Sequence, residues 1–93
     1  MQIEFDPAKD RINLAKHGIS LADAADIDLD SAIIIRDLRF DYGEARFLAY
    51  APITGRLHVL WFTMRGKVVR AIGLRRANRR ERKKYGQSSQ ETG

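Results

Sequence analysis

Two glycine-bearing reversals in the second half of the chain, Thr54-Gly55 and Arg65-Gly66-Lys67-Val68, lie one strand-length apart and constrain the fold more than any other feature. Between them, Leu57 to Met64 is mainly apolar on both faces: Leu57, Val59, Trp61 and Thr63 on one, His58, Leu60, Phe62 and Met64 on the other. That is the pattern of a central strand covered from both sides. Gly66 falls where a hairpin turn needs a positive backbone angle, so the chain returns from Val68 to about Arg75 as an antiparallel neighbour. Upstream, Glu44 to Pro52 alternates as a strand does, and Ala32 to Ile35 is a β-branched run too short for a helix.

The first third reads differently. Asp6 followed by Pro7 starts a helix, because Asp accepts orphan amide bonds and Pro has the right preset angle, and Gly18 ends it after His17. Ser20 with Asp23 repeats a capping pattern for a second, Ala-rich helix through about Asp28. On the first helix, Ala8, Ile12 and Ala15 form a weak apolar stripe, which leaves Lys9, Asn13 and Lys16 open to solvent or a partner. At the other end, Asn78 and Glu81 cap a short basic helix that Gly86 stops. The expected architecture is α+β, with two N-terminal helices packed on a mainly antiparallel four-stranded sheet and a short C-terminal helix. It forms one domain over residues 1–86, and the polar tail 87–93 is expected to be disordered.

Charge narrows the function. Residues 1–44 hold five Lys/Arg against ten Asp/Glu, and residues 45–93 hold twelve against two, so halves of −5 and +10 make the net +5. A basic half of this density concentrates polyanions at its surface, and nucleic acid is the first candidate. The chain has no cysteine and only two unclustered histidines, which argues against a disulfide framework, a thiolate metal site or a structural zinc, and no cofactor is expected. No stretch approaches the ~18 apolar residues of a membrane span and the start is acidic, so a cytoplasmic protein with no membrane partner is expected.

Eight cations fall between Arg70 and Lys84: Arg70, Arg75, Arg76, Arg79, Arg80, Arg82, Lys83 and Lys84. Strict alternation sends Arg75 to one face with Ala71 and Gly73, and Arg76 to the other with Arg70, Ile72 and Leu74. A two-residue loop would add Arg65, beside Val68, to the second face, so the hairpin register decides which arginines converge. If RNA lies across this sheet, guanidinium groups can grip two phosphate oxygens and stay charged, and cutting it without metal would also need groups that move protons near neutrality. His17 is the leading proton-transfer group, its pKa pulled down by Lys16 and up by the helix end; its structural alternative is a C-capping residue. His58 reads as a packed or edge histidine, and Glu81 with Tyr85 share a helix face. Tyr50 could stack on a base, whereas Trp61 and Phe62 read as core.

Taken in order, three stretches carry a resemblance: FDPAKDRINLAKHGISLADA, RFDYGEAR and TGRLHVLWFTMRGKVVRAIGLRRANRRERKKY. Within them stand Lys16-His17-Gly18, Asp41-Tyr42-Gly43-Glu44-x-Arg46, Thr63-x-Arg65-Gly66, and Arg75-Arg76-Ala77 leading to Glu81 and Tyr85. Over residues 2–85 the chain resembles the BrnT family of toxin-antitoxin ribonucleases, which have a RelE-like fold. The resemblance implies a toxin that cleaves RNA without metal, inhibits growth and translation, and is neutralised by a BrnA-like antitoxin with a ribbon-helix-helix domain. Operator DNA would be bound only through that complex. It also implies that Lys16, His17, Arg65, Arg75, Arg76, Glu81 and Tyr85 line the active face. The expected chemistry is attack by the RNA's own 2'-hydroxyl, with Arg65, Arg75 and Arg76 holding the phosphate and Arg70, Arg79, Arg80 and Lys83 binding RNA. Gly73 stands where the family often has serine, and Arg76 where it often has lysine. The alternatives are a non-catalytic basic nucleic-acid-binding module and a basic face that docks an acidic protein.

Overall fold

The two reversals form as their residues dictate. Thr54 and Gly55 both take left-handed backbone angles (φ 51° and 78°) and Gly66 does so at 61°, which closes two tight hairpins. The structure is a computed structural model and describes residues 2–86; the expectation for 87–93 lies outside the described residues. Its strands are β1 (Gln2–Phe5), β2 (Ile33–Arg36), β3 (Phe47–Ile53), β4 (Arg56–Arg65) and β5 (Val68–Arg76), in the order β1-β5-β4-β3-β2. The doubly apolar β4 is central, as its pattern requires.

The expected frame of two helices on a four-stranded antiparallel sheet is overturned. The sheet has five strands and is mixed, because β1 pairs parallel to β5 from Gln2↔Val68 to Phe5↔Ala71. A four-residue strand whose partner lies at the far end of the chain leaves no local signature. The N-terminal region holds one regular helix, α1 (Pro7–His17), of 11 residues. Leu21–Asp26 is a 3-10 segment instead of a second α-helix. Its Ser20 hydroxyl accepts from the Ala22 amide, while the Asp23 amide donates to the Ser20 carbonyl, so the anticipated capping box does not form. Leu21, Ala24 and Ile27 are all buried, and spacing by three matches three residues per turn.

At its ends, α1 is built as its residues dictate. Asp6 accepts from the Ala8 amide at 2.9 Å, and Gly18, at φ 71°, donates to the Leu14 carbonyl. Its middle is not. Ala8, Ile12 and Ala15 are exposed, and the one buried residue of the helix is Asn13. Leu21 and Ala24 pack with Leu60, Phe62 and Leu74 on one face of the sheet; Tyr50 and Val59 pack with Trp61 and Tyr85 on the other. Leu60 and Leu74 are directly paired and fully buried, where truncation to Ala costs about 2–5 kcal/mol.

A bulge in β5 sets the site. Trp61 pairs with Gly73 but Phe62 pairs with Ala71, so Ile72 is an extra residue and the alternation of faces slips by one. Arg70, opposite Thr63, and Arg75, opposite Val59, therefore share the face that carries Trp61. Strict alternation had assigned Arg70 to the face of Arg76. After β5, Asn78 and Glu81 complete their capping box, and α2 (Arg79–Glu81) runs on as a π turn over Arg82–Gly86. Among the described residues no helix is long and apolar enough to cross a membrane.

Candidate active site

Beyond Phe5, β1 no longer pairs with β5, and the edge of β5 at Leu74 is taken over by a side chain. Asn13 accepts from the Leu74 amide at 3.0 Å and donates to the Leu74 carbonyl at 2.7 Å, so its amide stands in for the missing strand. The same Nδ2 also donates to the Ile19 carbonyl at 2.8 Å, which ties down the chain after α1. Lys9 lies four residues before Asn13, and Lys16 and His17 three and four after it, so all share its helical face. Docking Asn13 aims these three cations and potential cations at the outer face of β5.

There they border a cleft of about 410 Å³, together with Trp61, Gly73 and Arg75. Gly73 leaves the floor open. A Cβ at Gly73 would lie 3.7 Å from Asn13 Oδ1 and 3.8 Å from Trp61, ordinary contacts that admit a small side chain at the expense of space in the cleft.

Arg75 is held in place from two sides. Its guanidinium stands over the Trp61 ring at 5.1 Å, and Nη1 and Nη2 donate to the two carboxylate oxygens of Glu81 at 2.7 and 2.9 Å. Nη1 also donates to the Arg76 carbonyl at 3.1 Å. Among the described residues this leaves, of five guanidinium N–H groups, one on Nη2 and the one on Nε, the side-on fork that matches two phosphate oxygens. Glu81 also accepts from the Asn78 amide at 2.9 Å, so one carboxylate serves both the helix cap and the arginine. Hydrogen bonding from Arg75 holds the Glu81 carboxyl below its usual range against the opposing effect of burial, and it keeps Arg75 cationic.

His17 has its pKa lowered from 6.5, by partial desolvation first and then by the charges of Lys16 and Arg75. It is neutral at pH 7 and able to accept a proton. Tyr85 stacks on Tyr50 with centroids 4.0 Å apart, pinning the C-terminal segment to β3. Burial raises the pKa of Tyr50, and Glu81 and Tyr85 add to the effect.

Lys16, His17 and Arg75 are thus brought together, with Glu81 behind Arg75 and Tyr85 packed beneath the same segment. Arg65 and Arg76 stand apart. Arg65 is paired with Val68 at the far end of β4, six residues beyond Val59 and so roughly 20 Å from the Arg75 position, with Glu44 at 4.0 Å. Arg76 pairs with His58 on the opposite face of the sheet from Arg75. Arg70 shares the face of Arg75 but meets Glu4 at 3.3 Å. Arg79, Arg80 and Lys83 are exposed on the C-terminal segment. His58 is buried, its Nδ1 2.7 Å from the Arg56 carbonyl. Phe62 is core, but Trp61 lines the cleft. The sequence reading left Asn13 and Lys9 open to solvent or a partner without assigning them to the site, although the stripe Lys9, Asn13, Lys16, His17 has helical spacing and is the signal that would have placed them there.

Fold and cleft together define a class: a small basic α+β protein with a cationic, aromatic-floored cleft suited to a phosphate ester. A family model described as "Ribonuclease toxin, BrnT, of type II toxin-antitoxin system" matches residues 5–81, and the chain belongs to that family. No curated protein matches the chain. Membership makes RNA the substrate class and an antitoxin the partner.

Proposed function

We propose that this toxin is a metal-independent endoribonuclease whose active site is the cleft of Lys16, His17 and Arg75. The observation that carries the reading is the convergence of a neutral imidazole, an ammonium and a partly free guanidinium fork over an aromatic floor. Neutral His17 takes the proton of the ribose 2'-hydroxyl as that oxygen attacks phosphorus. The side-on fork of Arg75 holds two phosphate oxygens and offsets the charge that builds on them, with Glu81 fixing its orientation. The bond from phosphorus to the 5'-oxygen breaks, and Lys9 and Lys16 are the ammonium groups placed to supply a proton to the departing oxygen. Trp61 offers a stacking surface to a flanking base, since every base has a π-face. The products are a 2',3'-cyclic phosphate and a 5'-hydroxyl.

Such a site must be covered in its host. An antitoxin of the BrnA type, with a ribbon-helix-helix domain, fits that role by neutralising the basic face in the cytoplasm. The test uses antitoxin-free protein, end-labelled single-stranded RNA and EDTA. Cleavage with cyclic-phosphate ends, abolished by a 2'-deoxy residue at the cut and lowered about 10²-fold or more in His17→Ala and Arg75→Ala, is expected. Ends bearing 5'-phosphate, or loss of cleavage in EDTA, overturn the mechanism. Tight RNA binding without turnover would make the protein a binding module.

A further inference from the structure

Away from the cleft, three other arginines meet. Arg56 at the start of β4, Arg76 at the end of β5 and Arg82 in the C-terminal segment border one hollow of about 320 Å³, floored by Leu57 and Ala77. A second hollow of about 360 Å³ shares Arg56 and Arg76 and reaches Gly18, with Asp23 as its carboxylate. Gly18 follows His17, so the second hollow adjoins the cleft at the C-terminal end of α1.

Pairing and convergence together set this cluster apart. Arg39, Arg46, Arg65, Arg70 and Arg75 each have a carboxylate within 4.0 Å. Among the described residues Arg56, Arg76 and Arg82 have none, and the one side-chain bond among them is from Arg82 to the Ala77 carbonyl at 2.9 Å. Among the described residues Arg11, Arg36, Arg79 and Arg80 also lack a carboxylate partner, but only Arg56, Arg76 and Arg82 combine that lack with convergence on one hollow. Three guanidinium groups around one hollow repel one another, and an anion seated between them relieves that repulsion. Adjacency to the cleft favours a polymer over a free ion, and a phosphodiester over a carboxylate, because an RNA strand in the cleft extends beyond the cut bond.

We propose that Arg56, Arg76 and Arg82 form a second phosphate subsite that holds the same RNA strand to one side of the cleaved linkage. This rests on the ribonuclease reading for the position of the strand. Arg76 then acts in binding and register instead of at the reacting phosphorus.

The test is fluorescence anisotropy on the full chain with an uncleavable, fully 2'-O-methylated RNA of 12 nucleotides in mixed sequence, and with a trinucleotide of the same chemistry. Both Arg56 and Arg76 are exposed, so Arg56→Gln/Arg76→Gln leaves the core untouched, and thermal melting checks it. Arg11→Gln/Arg36→Gln removes equal charge from exposed positions elsewhere. In the first double variant the Kd for the 12-mer should rise about tenfold or more, and the salt slope should fall by about 1.4, at ~0.7 per lost phosphate contact. The trinucleotide should change less than twofold, and the control pair should have little effect on either. Equal weakening by both pairs, or equal weakening of both RNAs, overturns the subsite. Binding of a 12-residue oligoglutamate that depends on Arg56 and Arg76, with 12-mer RNA binding unchanged, overturns it in favour of an acidic protein partner. Because the probe is uncleavable, a wild-type chain that binds it through these arginines yet cuts no RNA refutes the ribonuclease reading and not the subsite.

Discussion

His17 and Glu81 illustrate how a single environment separates two titrating groups. The cations Lys16 and Arg75, together with partial desolvation, depress the histidine, while a bond from Arg75 and one from the Asn78 backbone keep the carboxylate ionised. Glu81 is therefore no proton donor at neutral pH, and His17 is an available acceptor. The acid limb of kcat/KM should rise with a midpoint below 6.5, the ordinary imidazole value, and be flat by neutrality. His17→Ala should lose that limb along with about 10²-fold or more of the rate. A limb that survives unchanged in the variant would reassign the base. Glu81→Ala frees the Arg75 fork from its anchor and removes a partner of the cap. It should lower kcat on the order of 10²-fold through misplacement of the guanidinium, with a stability loss of about 1 kcal/mol in urea titration. Arg75→Lys should not rescue activity, because an ammonium cannot grip Glu81 and a phosphate with one planar fork.

At the level of elements, α1 is held to the sheet by hydrogen bonds from one side chain more than by its apolar residues. Asn13→Leu should leave the Leu74 amide and carbonyl without their partner, costing about 1–3 kcal/mol in urea titration. Cleavage should also fall, because Lys9, Lys16 and His17 lose their aim together. Equal stability and activity in the variant would show that packing alone docks the helix. These same elements show what the sequence could reveal. The β3, β4 and β5 hairpins, the ends of α1 and the Asn78–Glu81 cap were legible, because each depends on local signals of glycine, proline and capping side chains. β1 was not legible, because its partner lies at Val68 to Ala71, nor was the 3-10 segment, whose caps resemble those of an α-helix. In the site, the resemblance grouped Lys16, His17, Arg65, Arg75, Arg76, Glu81 and Tyr85 on one face; the structure brings Lys16, His17 and Arg75 to one cleft with Glu81 bonded to Arg75, and leaves Arg65 and Arg76 apart. Alternation alone puts Arg76 on the opposite face from Arg75, but the faces of Arg65 and Arg70 relative to Arg75 depend on the extra residue Ile72, and a bulge is invisible to a count of alternation. Asn13 was hidden because a polar residue on a helix reads as solvent-facing until the edge it completes is known.

For the whole molecule, the division of charge along the sequence becomes pairing across the fold. Glu4 of the acidic half meets Arg70 of the basic half, and Glu44 meets Arg46 and Arg65. Two further carboxylates anchor local structure. Asp37 accepts from the Arg39 side chain twice and from Tyr42, and Glu81 accepts from Arg75 twice. Both have pKa values lowered by folding, Asp37 from an ordinary 3.8, chiefly by its bond from Arg39, and Glu81 from 4.5, chiefly by its bond from Arg75. A carboxyl that binds its proton less readily when folded stabilises the fold fully above its unfolded pKa, and that contribution fades as acid protonates it. His17, whose pKa folding also lowers, should make stability slip slightly as pH falls through about 6.5, and the carboxylates should make it decline steeply below 4.5, where protonation also lets the net charge of +5 climb. Urea titrations at pH 7, 4.5 and 3 measure the decline. Asp37→Asn and Glu81→Gln should each be less stable than the parent at pH 7 and converge towards it at pH 3, because the lost interaction is one that acid removes anyway. Curves for parent and variants that stay parallel over the whole range would show that neither carboxylate couples folding to pH, and would leave rising charge repulsion as the cause of acid lability.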